Sequence, residues 1–151
     1  MKKRLLSIAA SLTASLAFSV SALAHGSAEL GPSGGRIVEF GAHAGVHAEV
    51  VLRDGRFVLS LLDAEKKEVP AGAQQLIVTH RETNTKLTPE LKDGKWSFAK
   101  PDGESFWLIL QLKETPDAPS KNGRLHYDAT ICSACDNAEW LCKCGGEEKK
   151  P

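Results

Sequence analysis

Ser105-Phe106-Trp107-Leu108-Ile109-Leu110-Gln111-Leu112-Lys113 is the stretch on which the fold turns. Phe106, Leu108, Leu110 and Leu112 recur at every second position, so an extended chain presents all four on one face. Downstream, Arg124 to Ile131 repeats the pattern, with Leu125, Tyr127, Ala129 and Ile131 set against Arg124, His126, Asp128 and Thr130. Pro116, Pro119 and Asn122-Gly123 mark a longer loop between the two. Upstream, Lys95-Trp96-Ser97-Phe98 puts two aromatics on one face, and Gln74 to His80 aligns Leu76, Val78 and His80. Trp96, Phe106 and Trp107 read as core or sheet-face residues.

His47 to Arg53 alternates as well, with Ala48, Val50 and Leu52 on one side and Glu49 and Arg53 on the other. Asp54-Gly55 joins it to Arg56–Leu62, and Asp93-Gly94 precedes Lys95. Asp-Gly between two strand-like runs is a strong hairpin signal, because both central residues of the favoured turn need positive φ. Arg36 to Phe40 forms a further apolar run entered through Gly34-Gly35, and Lys66, Lys67, Glu68 and Pro70 make a solvated break. No segment sustains the three-and-four spacing of a helix beyond the amino-terminal leader. About seven short strands with such turns predict an all-β chain folded as a single antiparallel β-sandwich, with an immunoglobulin-like arrangement as the candidate topology.

The amino end carries Lys2, Lys3 and Arg4, an apolar run from Leu5 to Val20, and Ser21-Ala22-Leu23-Ala24. A basic start, an apolar middle and an Ala-x-Ala site are the parts of a cleavable secretory signal. Residues 1–24 are therefore expected to be removed, leaving a β-sandwich domain over residues 25–131 and a cysteine-rich tail over 132–151. Export places the mature chain in the periplasm or outside the cell. The whole chain has 19 basic and 19 acidic residues, and losing three basic ones leaves a formal charge of −3. That balance lacks the electrostatic footprint of a nucleic-acid binder. No second apolar run is long enough to span a membrane.

All four cysteines fall in Cys132-Ser133-Ala134-Cys135-Asp136-Asn137-Ala138-Glu139-Trp140-Leu141-Cys142-Lys143-Cys144, followed by Gly145-Gly146. Thiolates from a Cys-x-x-Cys and a Cys-x-Cys can converge on one soft ion, zinc or copper(I). The pairs lie closer together than those of a zinc ribbon. An oxidising compartment offers the same residues a different fate, as disulfides. Of the three connectivities, bridges between the two pairs avoid the short reach of Cys142-Lys143-Cys144. Neither outcome is decided by the sequence. A thioredoxin-type redox role lacks its α/β context.

Histidines form a second candidate set. Cleavage after Ala24 would leave His25 with a free α-amine beside its imidazole, two nitrogens able to chelate copper. His43 and His47 are the nearest further ligands, and Glu49 shares a strand face with His47. The bland alternative is that these are ordinary surface histidines. No serine nucleophile elbow, phosphate loop or acid–base carboxylate pair is present, so no enzymatic activity is expected.

Gly31-Pro32-Ser33-Gly34-Gly35-Arg36-Ile37-Val38-Glu39, His47-Ala48-Glu49-Val50 and Leu61-Leu62-Asp63 together carry a family likeness. Over residues 25 to 113 the chain resembles the small β domain near the amino end of periplasmic adaptor proteins of heavy-metal efflux systems, and related stand-alone exported proteins. Ser33 stands where that family often has a histidine, and the adaptors' helical hairpin is missing. The resemblance implies a stand-alone periplasmic β domain that binds or delivers metal, with a metal-efflux or metal-delivery protein as partner. The competing reading is a non-catalytic interaction module with a disulfide-stapled tail.

Overall fold

The computed structural model describes residues 28–41 and 45–144. The leader and cleavage site, together with His25 and His43, lie outside those residues. Ten strands follow in chain order: β1 Arg36–Phe40, β2 Val46–Arg53, β3 Arg56–Leu62, β4 Glu68–Val69, β5 Gln75–His80, β6 Thr85–Leu87, β7 Glu90–Lys92, β8 Lys95–Ala99, β9 Ser105–Lys113 and β10 Lys121–Asp128. They form two antiparallel sheets. One runs β1-β2-β3-β8-β7 with β4 paired to β3, and the other runs β10-β9-β5-β6. With β2, β3, β8 and β7 read as A, B, E and D, and β10, β9, β5 and β6 as G, F, C and C′, this is the strand order of an immunoglobulin-type sandwich. β1 is added outside A. Strands B and F carry no cysteine, so the inter-sheet disulfide of antibody domains has no counterpart.

The alternation seen in the sequence builds the core. Phe106, Leu108, Leu110 and Leu112 of β9 are all buried, facing Ala48, Val50, Phe57, Leu59, Leu61, Trp96 and Phe98 of the other sheet. Phe57 sits at the centre, with ring centroids 5.7 Å from Phe98, 5.6 Å from Tyr127 and 6.4 Å from Phe106. Both Asp-Gly turns adopt the expected conformation: φ is 49° and 73° at Asp54-Gly55, and 50° and 75° at Asp93-Gly94. Positive φ at both central residues matches the right-handed twist of the flanking strands.

Three features differ from the sequence reading. β4, β6 and β7 are two or three residues long, too short to show an alternation. Asn122-Gly123 does not belong to the loop but lies inside β10. There a Cβ on residue 123 would come within 2.6 Å of Val38 Cγ1, so glycine serves the close approach of β1 rather than a chain reversal. Ile131 is 61% exposed instead of inward, because β10 ends at Asp128 and Thr130 N–H turns back onto Asp128 Oδ1 at 2.9 Å.

Glu49 keeps the outward side of β2 that the alternation assigns it. It points away from the sandwich interior yet is only 2% exposed, because the segment from Ala28 to Gly35 lies over it. Ser33 N–H and Gly35 N–H donate to Glu49 Oε1 at 2.8 and 2.7 Å. The loop closes on itself through Gly31 N–H to Gly35 O and Gly34 N–H to Gly31 O. A Cβ at residue 35 would lie 2.4 Å from the Val50 carbonyl oxygen, so this packing demands glycine.

Candidate metal centre

After β10 the chain makes a tight, hydrogen-bonded loop. Ile131 bridges Ala138, Cys132 N–H donates to Asn137 O at 2.8 Å, and Asp136 N–H donates to Cys132 O at 2.9 Å. Asp136 takes the left-handed conformation, φ 57°, which short polar side chains tolerate better than most. This turn brings the Cys-x-x-Cys sulfurs to one side. A single 3₁₀ turn, Glu139–Leu141, follows; Glu139 N–H is held by Thr130 O at 2.8 Å and Cys142 N–H by Glu139 O at 3.1 Å.

The 3₁₀ turn seats one side chain in the core and is followed by a cysteine of the cluster. Trp140 enters the sandwich, 5% exposed, with its ring 5.9 Å from Phe57 and 5.5 Å from Tyr127. Cys142 emerges toward the first cysteine pair. Its carbonyl accepts Ala28 N–H at 3.1 Å, and Arg36 Nη1 donates to the Trp140 carbonyl at 3.4 Å. The hydrophobic core therefore extends past Ile131 into the cysteine-rich segment, which is docked on the sandwich.

All four Sγ atoms, from Cys132, Cys135, Cys142 and Cys144, lie within 4.8 Å of one another. Cys135 Sγ and Cys142 Sγ are 3.7 Å apart, and all four cysteines are free thiols. A disulfide needs about 2.05 Å between sulfurs. A tetrahedron with zinc–sulfur bonds of about 2.3 Å has sulfur–sulfur edges of about 3.8 Å. The 3.7 Å separation is too long for a disulfide bond and close to that edge, so the four sulfurs could hold a metal ion. Cys132 is buried, Cys135 and Cys142 are half-buried and Cys144 is exposed, so the cluster sits at the surface with one side anchored.

The sulfurs differ in acidity. The Asn137 N–H aimed at Cys135, helped by the Cys144 thiol, brings Cys135 down to about 7. Cys144 is pushed up to about 12 because it donates its proton to Cys135 and to Cys142. At Cys142 the Cys144 N–H, 3.3 Å from the sulfur, favours the thiolate, but the Cys132 and Cys135 thiols and desolvation together raise it. Cys135 is therefore readier to ionise than Cys142 or Cys144.

Among the described residues, no histidine joins the cluster. His47 Nε2 lies 3.8 Å from Glu39 Oε1 on the neighbouring strand, and Glu49, its same-face neighbour, is occupied by the glycine loop. His80 packs against Phe106 at 5.3 Å and shares Nδ1 with Thr83 Oγ1 at 2.9 Å, a structural setting. His126 stacks on Trp107 at 4.5 Å. Sequence reasoning placed the four sulfurs and set Glu49 beside His47, but missed the burial of Trp140 and the amide contacts of Glu49. The signal for the former was Trp140-Leu141, an apolar pair inside an otherwise polar loop.

No protein-family model, curated protein or solved structure matches this chain.

Proposed function

We propose that this is an exported metal-binding protein that buffers or delivers zinc or copper through Cys132, Cys135, Cys142 and Cys144. The observation that carries the reading is the convergence of four sulfurs at metal-ligand rather than disulfide spacing. Sulfur donors select soft ions, and a tetrahedral set of four favours zinc, with copper(I) the other soft candidate. The chain's own part is to hold the thiolates in place: Asn137 N–H and Cys144 N–H donate to Cys135 and Cys142, and Trp140 ties their connecting segment to the core. A bound ion would supply the positive charge that lets all four sulfurs ionise together.

The periplasmic setting and an efflux or delivery partner are supported by the leader pattern and by the likeness of the Gly31–Glu39 segment to efflux adaptors. The test is metal analysis of the mature protein purified anaerobically from the periplasm, with Cys→Ser variants alongside. One zinc or copper ion per chain is expected, with affinity falling sharply when any one cysteine is replaced. Two intact disulfides and no metal would overturn the reading in favour of a stapled interaction module.

A further inference from the structure

Resting on that metal-binding reading, we infer that the centre is emptied by thiol–disulfide exchange, through a Cys135–Cys142 bridge that expels the ion while leaving the fold intact. The two sulfurs are 3.7 Å apart and need close by less than 2 Å to bond, a movement within side-chain reach. The other pairings are less favourable. Cys132 is buried beneath the loop, away from any oxidant, and a bridge within Cys142-Lys143-Cys144 is strained by its short span. Exposed Cys144 follows the last residue tied to the sandwich and encloses nothing with Cys142.

Like any bridge between the two cysteine pairs, this one brackets a segment on which the fold depends. That segment contains the 3₁₀ turn Glu139–Leu141 and the buried ring of Trp140. Metal and disulfide each close this same loop, so Trp140 stays seated in either state. Only Cys132 and Cys144 lose their common partner.

The exchange balances with a low-molecular-weight disulfide as oxidant. One of the two sulfurs attacks the small disulfide, releasing one small thiolate; the other attacks the mixed disulfide, forming the Cys135–Cys142 bond and releasing the second. Two electrons pass from the protein sulfurs to the small disulfide, two protons from solvent complete the two small thiols, and the metal dication leaves. Cys132 and Cys144 remain as thiolates that then take up protons according to pH. A site left with two sulfurs is a poor zinc site, because structural zinc takes four ligands.

The test is to load the reduced chain with zinc, confirm its stoichiometry, and add oxidised glutathione while following zinc release with a chromophoric chelator. Zinc should leave in step with the loss of two thiols per chain. Peptide mapping should find a Cys135–Cys142 bridge with Cys132 and Cys144 alkylated as free thiols once the protein is denatured, and Trp140 emission and cooperative unfolding should persist before denaturation. Cys135→Ser loaded with zinc should show no such coupled release. Zinc retained through oxidation, a different pairing, or release accompanied by unfolding would each overturn the inference. Failure to load zinc at all would instead count against the metal reading, and mapping the bridge formed in metal-free protein would still judge the pairing.

Discussion

Trp140 stands edge-on to Phe57, with ring centroids 5.9 Å apart and planes at 83°. The pair joins the cysteine loop to the centre of the sandwich, since Phe57 also touches Phe98, Phe106 and Tyr127. Edge-to-face contacts of this kind add to the area that a buried tryptophan removes from water.

Replacing Trp140 with alanine should therefore cost about 3–5 kcal/mol, the usual loss for a large buried aromatic. Urea unfolding of the reduced protein measures it. Truncation after Ile131 should lose at least as much, because the same ring is removed with its loop. Trp107→Ala, on the outer face against His126, should cost clearly less. An unchanged midpoint for Trp140→Ala would show that the loop is not part of the core.

Glu49 offers a second test. Hydrogen bonds to a charged acceptor are worth more than those to a neutral one, so Glu49→Gln should destabilise by about 1 kcal/mol. Glu49→Ala leaves the Ser33 and Gly35 amides without that acceptor and should cost about 1–3 kcal/mol. Amide hydrogen exchange at residues 33 and 35 reads the effect locally; unaltered protection in Glu49→Ala would refute the latch.

Metal affinity should rise with pH. Cys142 and Cys144 sit above the usual thiol range, the latter at about 12, so both hold protons that an incoming metal must displace at neutral pH. Cys135, at about 7, is largely ionised at pH 8 but takes up its proton as pH falls through 7, adding one more proton to displace. Chelator competition at pH 6, 7 and 8 should show affinity falling throughout and more steeply at the acid end. In metal-free protein near pH 7, Cys135 should be the first thiol alkylated. Affinity independent of pH would be incompatible with thiolate ligands.

The two hairpin glycines should separate by crowding. Gly55 and Gly94 share a positive φ, but a Cβ at 55 meets open space whereas one at 94 comes within 2.8 Å of Pro70 Cβ. Gly55→Ala should cost about 1–2 kcal/mol for the left-handed backbone alone. Gly94→Ala should cost more, and equal losses by thermal unfolding would show that Pro70 gives way freely.

The long strands were legible because each has one buried face, which writes a two-residue period into the sequence. β3 and β9 lie where Arg56–Leu62 and Ser105–Lys113 place them. β6 and β7 have little or no buried face and so left no such mark. The burial of Glu49 went unread for a related reason: alternation tells which residues share a face, not what another segment lays over it. Gly123 was read as part of a loop because the requirement it meets comes from β1, more than 80 residues earlier. The cysteine spacing announced the site, but its seat on the sandwich depends on where Trp140 points, which no local pattern records.

The crossing of β1 toward β10 bears on how the protein behaves when crowded. Gly41 N–H reaches the Asn122 carbonyl at 3.2 Å, so the end of one sheet leans over the outermost strand of the other. Unpaired strand borders invite self-association, and natural proteins shield or charge them. Here one flank is shielded by that crossing. The opposite flank ends in β6 and β7, three residues each, carrying Lys86, Glu90 and Lys92 on exposed positions. Among the described residues, neither flank offers a long apolar template for a neighbouring molecule.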